Sequence, residues 1–547
     1  MMRFLLGASA LSLIATPVQA QDFSAERISH HVRTLSDDWF EGRAPGTPGE
    51  EKTVAYLSGA MAAAGLQPGG DVRADGTRAW TQDVVLFRSN MVDDPVLMLN
   101  MAGESIPMIQ NKDLAVRAPV NGMAQVQIDD APLVFVGYGT HAPERDWSDF
   151  KDVDLTGKIM VALVNDPDFE GGEGDFGGDA MTYYGRWTYK FEEAARRGAA
   201  GVLVIHETEP ASYPWGVISV NNDQTRDIVR QDPGAYHTGL QGWMHLDVAK
   251  RLFEAAGTTY ADAKKAAQRK NFTPMELDAT LDATILAQLD EFSAKNVVGM
   301  VPGDERADEY VLFTAHHDHL GVGEPDEDGD SIYNGALDNA TGTAMLLEMG
   351  RAFVETGGTD RSLVFLAVAA EEGGLLGSRY YAANPLYPLA RTAGVLNTDS
   401  PGVFGPAGDF SIAGTARLGL LDLMIEEGSK QERSFTPDPN PASGGFYRSD
   451  HFPFAQAGVP AVSFKSGVEL MEGGAERSRE IAEAYTANHY HQQSDEWSAD
   501  WNFDGIVRDA ELLYAVASRL GNEDIWPNWS QDSEFRALRD ESASERD

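Results

Sequence analysis

From residue 296 onward the sequence alternates between two textures. NVVGMV, EYVLFTA, RSLVFLAVAA and AGVLNTD are near-continuous apolar runs, while GTAMLLEMGRAFVETG (342–357) and LLGSRYYAAN (375–384) between them carry apolar residues at helical spacing. A strand that is apolar on both faces must be covered on both faces. Strands of this kind separated by helices make an α/β fold with a mixed, mostly parallel central sheet flanked by helices. A last amphipathic helix is expected over about 504–520, and the polar tail after 536 (ALRDESASERD) is expected to be disordered.

The first half reads differently. Val54, Leu57, Met61 and Ala64 share one face of a helix over 48–65 that stops at Gly65, behind the turn-rich loop EGRAPGTPG (41–49). Short buried strands are expected at 133–137, 158–164 and 201–206, with a helix at Tyr189–Arg197, so this middle stretch reads as a β-rich domain. The 547 residues suffice for about three or four units at ~150 residues per domain. The divisions expected are 1–20, 21–94, 95–288, 289–535 and a tail at 536–547.

Residues 1–20 (MMRFLLGASALSLIATPVQA) pair one Arg with a short apolar run and end in Val18-Gln19-Ala20, which is the pattern of a signal peptide cleaved after Ala20. The chain has no cysteine, which excludes disulfides, thiolate metal sites and cysteine nucleophiles. Export without disulfides suggests a bacterial periplasmic or secreted protein. The formal net charge of −42 argues against nucleic acid or an anionic membrane as partner, because both need a basic footprint.

Chemistry concentrates where strands end. EYVLFTA runs into His316-His317-Asp318-His319, RSLVFLAVAA into Glu371-Glu372-Gly373, and AGVLNT into Asp399. Between the first two, Gly335-Ala336-Leu337-Asp338-Asn339 opens a helix, and His489-Tyr490-His491 lies near the end. In open α/β sheets ligands bind at the carboxyl ends of the strands. Histidines and carboxylates without cysteine suit a catalytic zinc site rather than a structural one. Two divalent ions ~3.5–4 Å apart can clamp a hydrolytic water and a carbonyl oxygen, and a shared carboxylate is needed to hold the pair. Adjacent Glu371 and Glu372 can divide the work, one ligating and one taking the water's proton. A buried carboxylate such as Asp318 would orient a ligand histidine.

As an ordered set, AHHDHLG (315–321), NGALDNATGTA (334–344), AAEEGGLLGSRYY (369–381), NTDS (397–400), RSDHFPFAQAGVPAVSF (448–464) and YHQQSDE (490–496) resemble the co-catalytic di-zinc aminopeptidases of the zinc-exopeptidase superfamily. The resemblance implies two zinc ions per chain. His316 and Asp399 would hold one, Glu372 and His491 the other, and Asp338 would bridge them. It further implies Glu371 as general base and later acid, Tyr490 as the residue polarising the substrate carbonyl, Asp318 behind the ligands, and a cis peptide between Asp338 and Asn339. His317, His319 and His489 are expected not to be ligands, Asp450-His451 to border the pocket, and the acidic stretch 326–331 to be a solvated loop. Residues 95–288 resemble a protease-associated domain inserted into the peptidase.

The activity implied is removal of N-terminal residues from peptides. The alternatives are a carboxypeptidase or dipeptidase on the same site, or a non-catalytic binding protein. A carboxypeptidase would want a basic clamp for the α-carboxylate. Arg379, Arg391, Arg417, Arg448 and Lys465 are the candidates, and Arg448 is expected instead to sit in an ion pair within the acidic wall. The partner implied is a peptide substrate, with no nucleic acid and no membrane segment in the mature chain.

Overall fold

The computed structural model describes residues 22–220 and 222–546; the expected signal peptide lies outside them. Four strands form a parallel core in the spatial order Arg361–Val368, Arg306–His316, Thr392–Thr398, Ala461–Ser466. All of Arg361–Val368 and all of Thr392–Thr398 are buried, as their largely apolar character requires. Antiparallel neighbours close the two sides: the end of Met275–Val301 beside Arg361–Val368, and Asp409–Ile412 beside Ala461–Ser466. The fold is therefore α/β with a mixed, mostly parallel sheet, as expected.

Helices cover both faces. The expected helices appear at Pro48–Ala63, Thr341–Thr356, Leu376–Ala383 and Asp504–Asn522. Thr341–Thr356 lies almost wholly in the core, and its Phe353 stacks on Tyr514 of Asp504–Asn522 at 4.2 Å between ring centroids. The tail departs from expectation. Arg536–Glu541 is helical, and Arg539 is 1 % exposed, donating to the Thr392 carbonyl at the start of a core strand. A polar composition concealed one long-range anchor.

The chain passes from Arg306–His316 to a strand on one side of it and then to Thr392–Thr398 on the other. That reversal of winding opens a crevice at the carboxyl ends of these strands. His316 ends the first strand, Asp399 follows the second directly, and Glu371-Glu372 follow Arg361–Val368 closely.

A second sheet carries Gln125–Phe135, Ile159–Leu163, Gly201–Ile205 and Leu240–Met244, paired in parallel in that order. The long strand Met275–Val301 runs through both sheets: its first part pairs with Val96–Met101 and Gln125–Phe135, its later part with Thr81–Met91 and Arg361–Val368. Beside the second sheet, helix Trp187–Arg196 carries Lys190, a fully buried ammonium that donates to the carbonyls of Tyr138, Asn165 and Tyr184. Burial pushes its pKa down to about 7 against the pull of Asp149 and Asp166. Lys190→Met strands those carbonyls, so this unit is expected to lose about 3 kcal/mol or more of stability, read as a lower urea midpoint. An unchanged midpoint would mean that water replaces the ammonium. Among the described residues no helix is long and apolar enough to cross a membrane.

Candidate metal centre

His316 is buried. Its Nδ1 lies 3.2 Å from the Asp318 carbonyl oxygen and donates there, which turns Nε2 to the cluster. Nε2 faces Asp338 Oδ1 at 3.2 Å and Asp399 Oδ1 at 3.7 Å. The other oxygen, Asp338 Oδ2, lies 3.3 Å from His491 Nε2, which is 3.2 Å from Glu372 Oε2. One carboxylate thus turns its two oxygens to two separate histidine–carboxylate groups.

Asp338 is held from behind. Asp495 accepts hydrogen bonds from the Leu337 and Asp338 amides and from the Tyr485 hydroxyl. The Asp338–Asn339 peptide is cis, as the resemblance implied. The Asn339 side chain accepts from the Gly342 and Ser400 amides, linking this turn to the Asp399 strand end. Asp318, fully buried, accepts from the Glu371 and Glu372 amides. It lies 3.8 Å from His316 Nδ1, so it orients the glutamate turn more than the histidine ring. Burial pushes Asp318 up to about 7.

The electrostatics follow from crowding. Burial, reinforced by Asp450, Asp399 and Glu372, holds Glu371 well above the usual carboxylate range, against the pull of His316. Burial opposes protonation of His316, but Glu371, Asp338 and Asp399 outweigh it and hold the imidazole well above its ordinary value. Burial likewise opposes ionisation of Asp338, which His316 and His491 nevertheless hold well below. This is a dense acidic cluster, opposed by its histidines and by Lys465 beside Asp399, and such a cluster is stabilised by divalent charge.

The donor set fits zinc: imidazole nitrogens and carboxylate oxygens, with no sulfur. His316, Asp338 and Asp399 present ligand atoms within 4.8 Å of one another, and so do His319, Asp338 and Glu372. His319 enters the second group although the sequence set it aside. Its Nδ1 is 2.8 Å from Glu372 Oε1 but out of alignment, so both atoms are buried without a hydrogen-bond partner. Orphaned donor atoms that face each other in this way are what a metal ligand shell requires.

The other expected residues separate cleanly. Tyr490 is half exposed and stacks on His491 at 3.9 Å. His317 is buried beside the Lys295 carbonyl, and His489 is exposed beside Ser494. Asp450 accepts from the Ser378 hydroxyl behind the wall, and His451 packs edge-on to Phe446. The 326–331 stretch is an exposed turn closed on Asp326. Lys465 donates to the Asp399 carbonyl, and Arg391 pairs with Asp308. Arg448 corrects an expectation: among the described residues no carboxylate lies within 4 Å of it.

Two contributors escaped the sequence reading. Asp495 stands in the sequence only as one acid of the motif YHQQSDE. Arg43, in the EGRAPG loop, is 1 % exposed and donates to the carbonyls of His317, Leu35, Asn334 and Gly335. It pins that loop under both metal-facing turns. An arginine in a Gly/Pro-rich turn was the available signal.

Residues 296–515 match the model of Peptidase family M28. The chain is 24% identical to Aminopeptidase YwaD of Bacillus subtilis over 472 residues, covering 84% of this chain and 81% of that protein. It is 32% identical to Leupeptin-inactivating enzyme 1 of Streptomyces exfoliatus over 159 residues, 27% of this chain and 34% of that one. A solved aminopeptidase from Aneurinibacillus sp. strain AM-1 aligns at a TM-score of 0.47 and 19% identity, covering 92% of this chain and 95% of that chain. Residues 296–515, the stretch that carries the side chains converging on Asp338, are thus similar to peptidase family M28.

Proposed function

We propose that this chain is an exported di-zinc aminopeptidase. The observation that carries the reading is Asp338, whose two oxygens face separate histidine–carboxylate groups with Glu371 beside them. His316, Asp338 and Asp399 would hold one zinc, and Asp338, Glu372 and His491 the other, with His319 against the second. When bound, the ion pair polarises the scissile carbonyl and acidifies the attacking water.

The chain's own residues do the rest. Glu371 does not ligate; its raised proton affinity suits it to take the proton of the attacking water. As the C–N bond breaks, it returns that proton to the leaving nitrogen. Tyr490 donates its hydroxyl toward the carbonyl oxygen as charge builds there. Asp318 keeps the glutamate pair in register through their amides. The carboxylates lining the cavity, Glu371 and Asp399 among them, attract a free α-ammonium. Residues 95–288 are read as the inserted protease-associated domain, and residues 1–20 as the signal that exports the chain.

A carboxypeptidase on the same site is favoured by one observation, the unpaired Arg448 at the cavity wall. Substrate blocking decides between the two. Unblocked aminoacyl anilides are expected to be hydrolysed, chelation to stop the reaction and zinc to restore it. N-acetylation is expected to abolish cleavage. Efficient cleavage of N-acetylated peptides with free C-termini would replace the aminopeptidase with a carboxypeptidase.

A further inference from the structure

A second cavity, of about 300 Å³, adjoins the metal-facing one of about 420 Å³ and shares Glu371, Glu372 and Arg448 with it. Five guanidinium groups line it: Arg117, Arg186 and Arg226 from the middle stretch of the chain, Arg379 and Arg448 from the peptidase part. In a chain with 85 acidic and 43 basic residues this is an unexpected concentration of positive charge.

These arginines are not spent on structure. Buried arginines elsewhere have evident partners: Arg43 its carbonyls, Arg361 Glu309, and Arg433 Asp509. Among the described residues, no carboxylate lies within 4 Å of Arg117, Arg186, Arg226, Arg379 or Arg448. The Nε atoms of Arg186 and Arg379 are buried with no hydrogen-bond partner. Arg117 lies over the Trp187 ring, and Arg226 donates to the Gln224 side-chain carbonyl. The cavity's remaining acids are already engaged. Asp227 is held by His237 and by Arg230 at 3.6 Å, and Glu192 by the Tyr183 hydroxyl and by Arg196 at 3.7 Å.

Holding like charges together in a partly buried space costs stability. Burial, then Arg448 and Arg379, push Arg186 down to about 10, and burial pushes Arg117 to about 10 with Arg379 adding to it. Both remain cationic at neutral pH. An anion entering the cavity would relieve the repulsion and fill the empty donor positions. The guanidinium fork matches a planar carboxylate.

Resting on the peptidase reading above, we infer that this arginine cavity binds a carboxylate of the substrate, so that the preferred substrates are peptides with a carboxylate one or two residues from the scissile bond. That group is either the free C-terminus of a di- or tripeptide or an Asp or Glu side chain. The two sources share one chemistry, and three matched substrate pairs separate them: Ala-Ala against Ala-Ala-amide, Ala-Glu-amide against Ala-Gln-amide, and Glu-Ala-amide against Gln-Ala-amide.

With zinc-loaded full-length protein, at least one charged member is expected to exceed its neutral partner in kcat/KM by about tenfold or more, as a charge-assisted bidentate contact allows. The favoured pair identifies the source. In Arg186→Gln and Arg379→Gln that ratio is expected to fall toward one. Ratios within about threefold for all three pairs overturn the inference, whether or not the variants fold, and so does a wild-type ratio that survives both substitutions. Failure of the aminopeptidase reading looks different, since none of the five C-terminally amidated compounds is then cleaved. The same pairs measured as ligands by calorimetry then read the cavity directly: tighter binding of a charged member supports it, and equal affinities overturn it.

Discussion

Glu371→Gln is expected to leave both zinc ions bound and to lower kcat by about 10²- to 10⁴-fold, the range that a positioned general base contributes. The amide keeps the shape of the carboxylate and the backbone bond to Asp318, so the turn stays in place. It cannot accept the proton of the attacking water. Neither of the two groups that converge on Asp338 loses a member, which is why metal content is the control. Steady-state kinetics with elemental analysis on the same preparation separate the two roles of the adjacent glutamates. Glu372→Gln is expected to release one zinc first, because Glu372 faces His491 at 3.2 Å. Wild-type turnover in Glu371→Gln would place the base elsewhere.

Asp338→Ala is expected to have the larger effect on metal. A single residue supplies one oxygen to each group, at 3.2 Å from His316 and 3.3 Å from His491, so its removal damages both sites together. Zinc is expected to fall from two ions per chain to one or none, and turnover with it. Removing Asp399 or Glu372 instead damages one site. Zinc that stayed at two in Asp338→Ala would mean that the groups are independent and that Asp338 bridges nothing.

The strand ends were legible because burial and chemistry collide there. An apolar run that terminates in His316, Glu371 or Asp399 puts a charge where a buried strand emerges, and three such ends in one sheet share one edge. Apolar periodicity likewise located the helices to within a few residues. Three things were hidden. His319 looked like a spare histidine, because nothing in AHHDHLG tells that its ring turns back against Glu372. Arg539 looked like tail polarity, because its acceptor, the Thr392 carbonyl, is 147 residues away. The arginine cavity was invisible as a unit, since Arg117, Arg186, Arg226, Arg379 and Arg448 are scattered over the chain and only Arg379 and Arg448 adjoin a motif. Local pattern reports what a residue faces along its own element, and it is silent where distant loops meet.

The strand Met275–Val301 has a mechanical consequence. Its 27 residues, at about 3.3 Å of rise each, make a spar with a contour of roughly 90 Å. Two sheets joined by a flexible tether would swing, and a cavity walled by both would open and close with thermal motion. Here the joint is itself a strand, laced to Gln125–Phe135 on one stretch and to Thr81–Met91 and Arg361–Val368 further along. Bending the two bodies apart means shearing that lacing. The arginines contributed by the middle of the chain therefore stand at a set distance from Glu371, as jaws of a fixed-gap gauge rather than of a hinge. A gauge of fixed gap discriminates by length, so a carboxylate more than two residues from the bond is expected to be rejected as firmly as an amide.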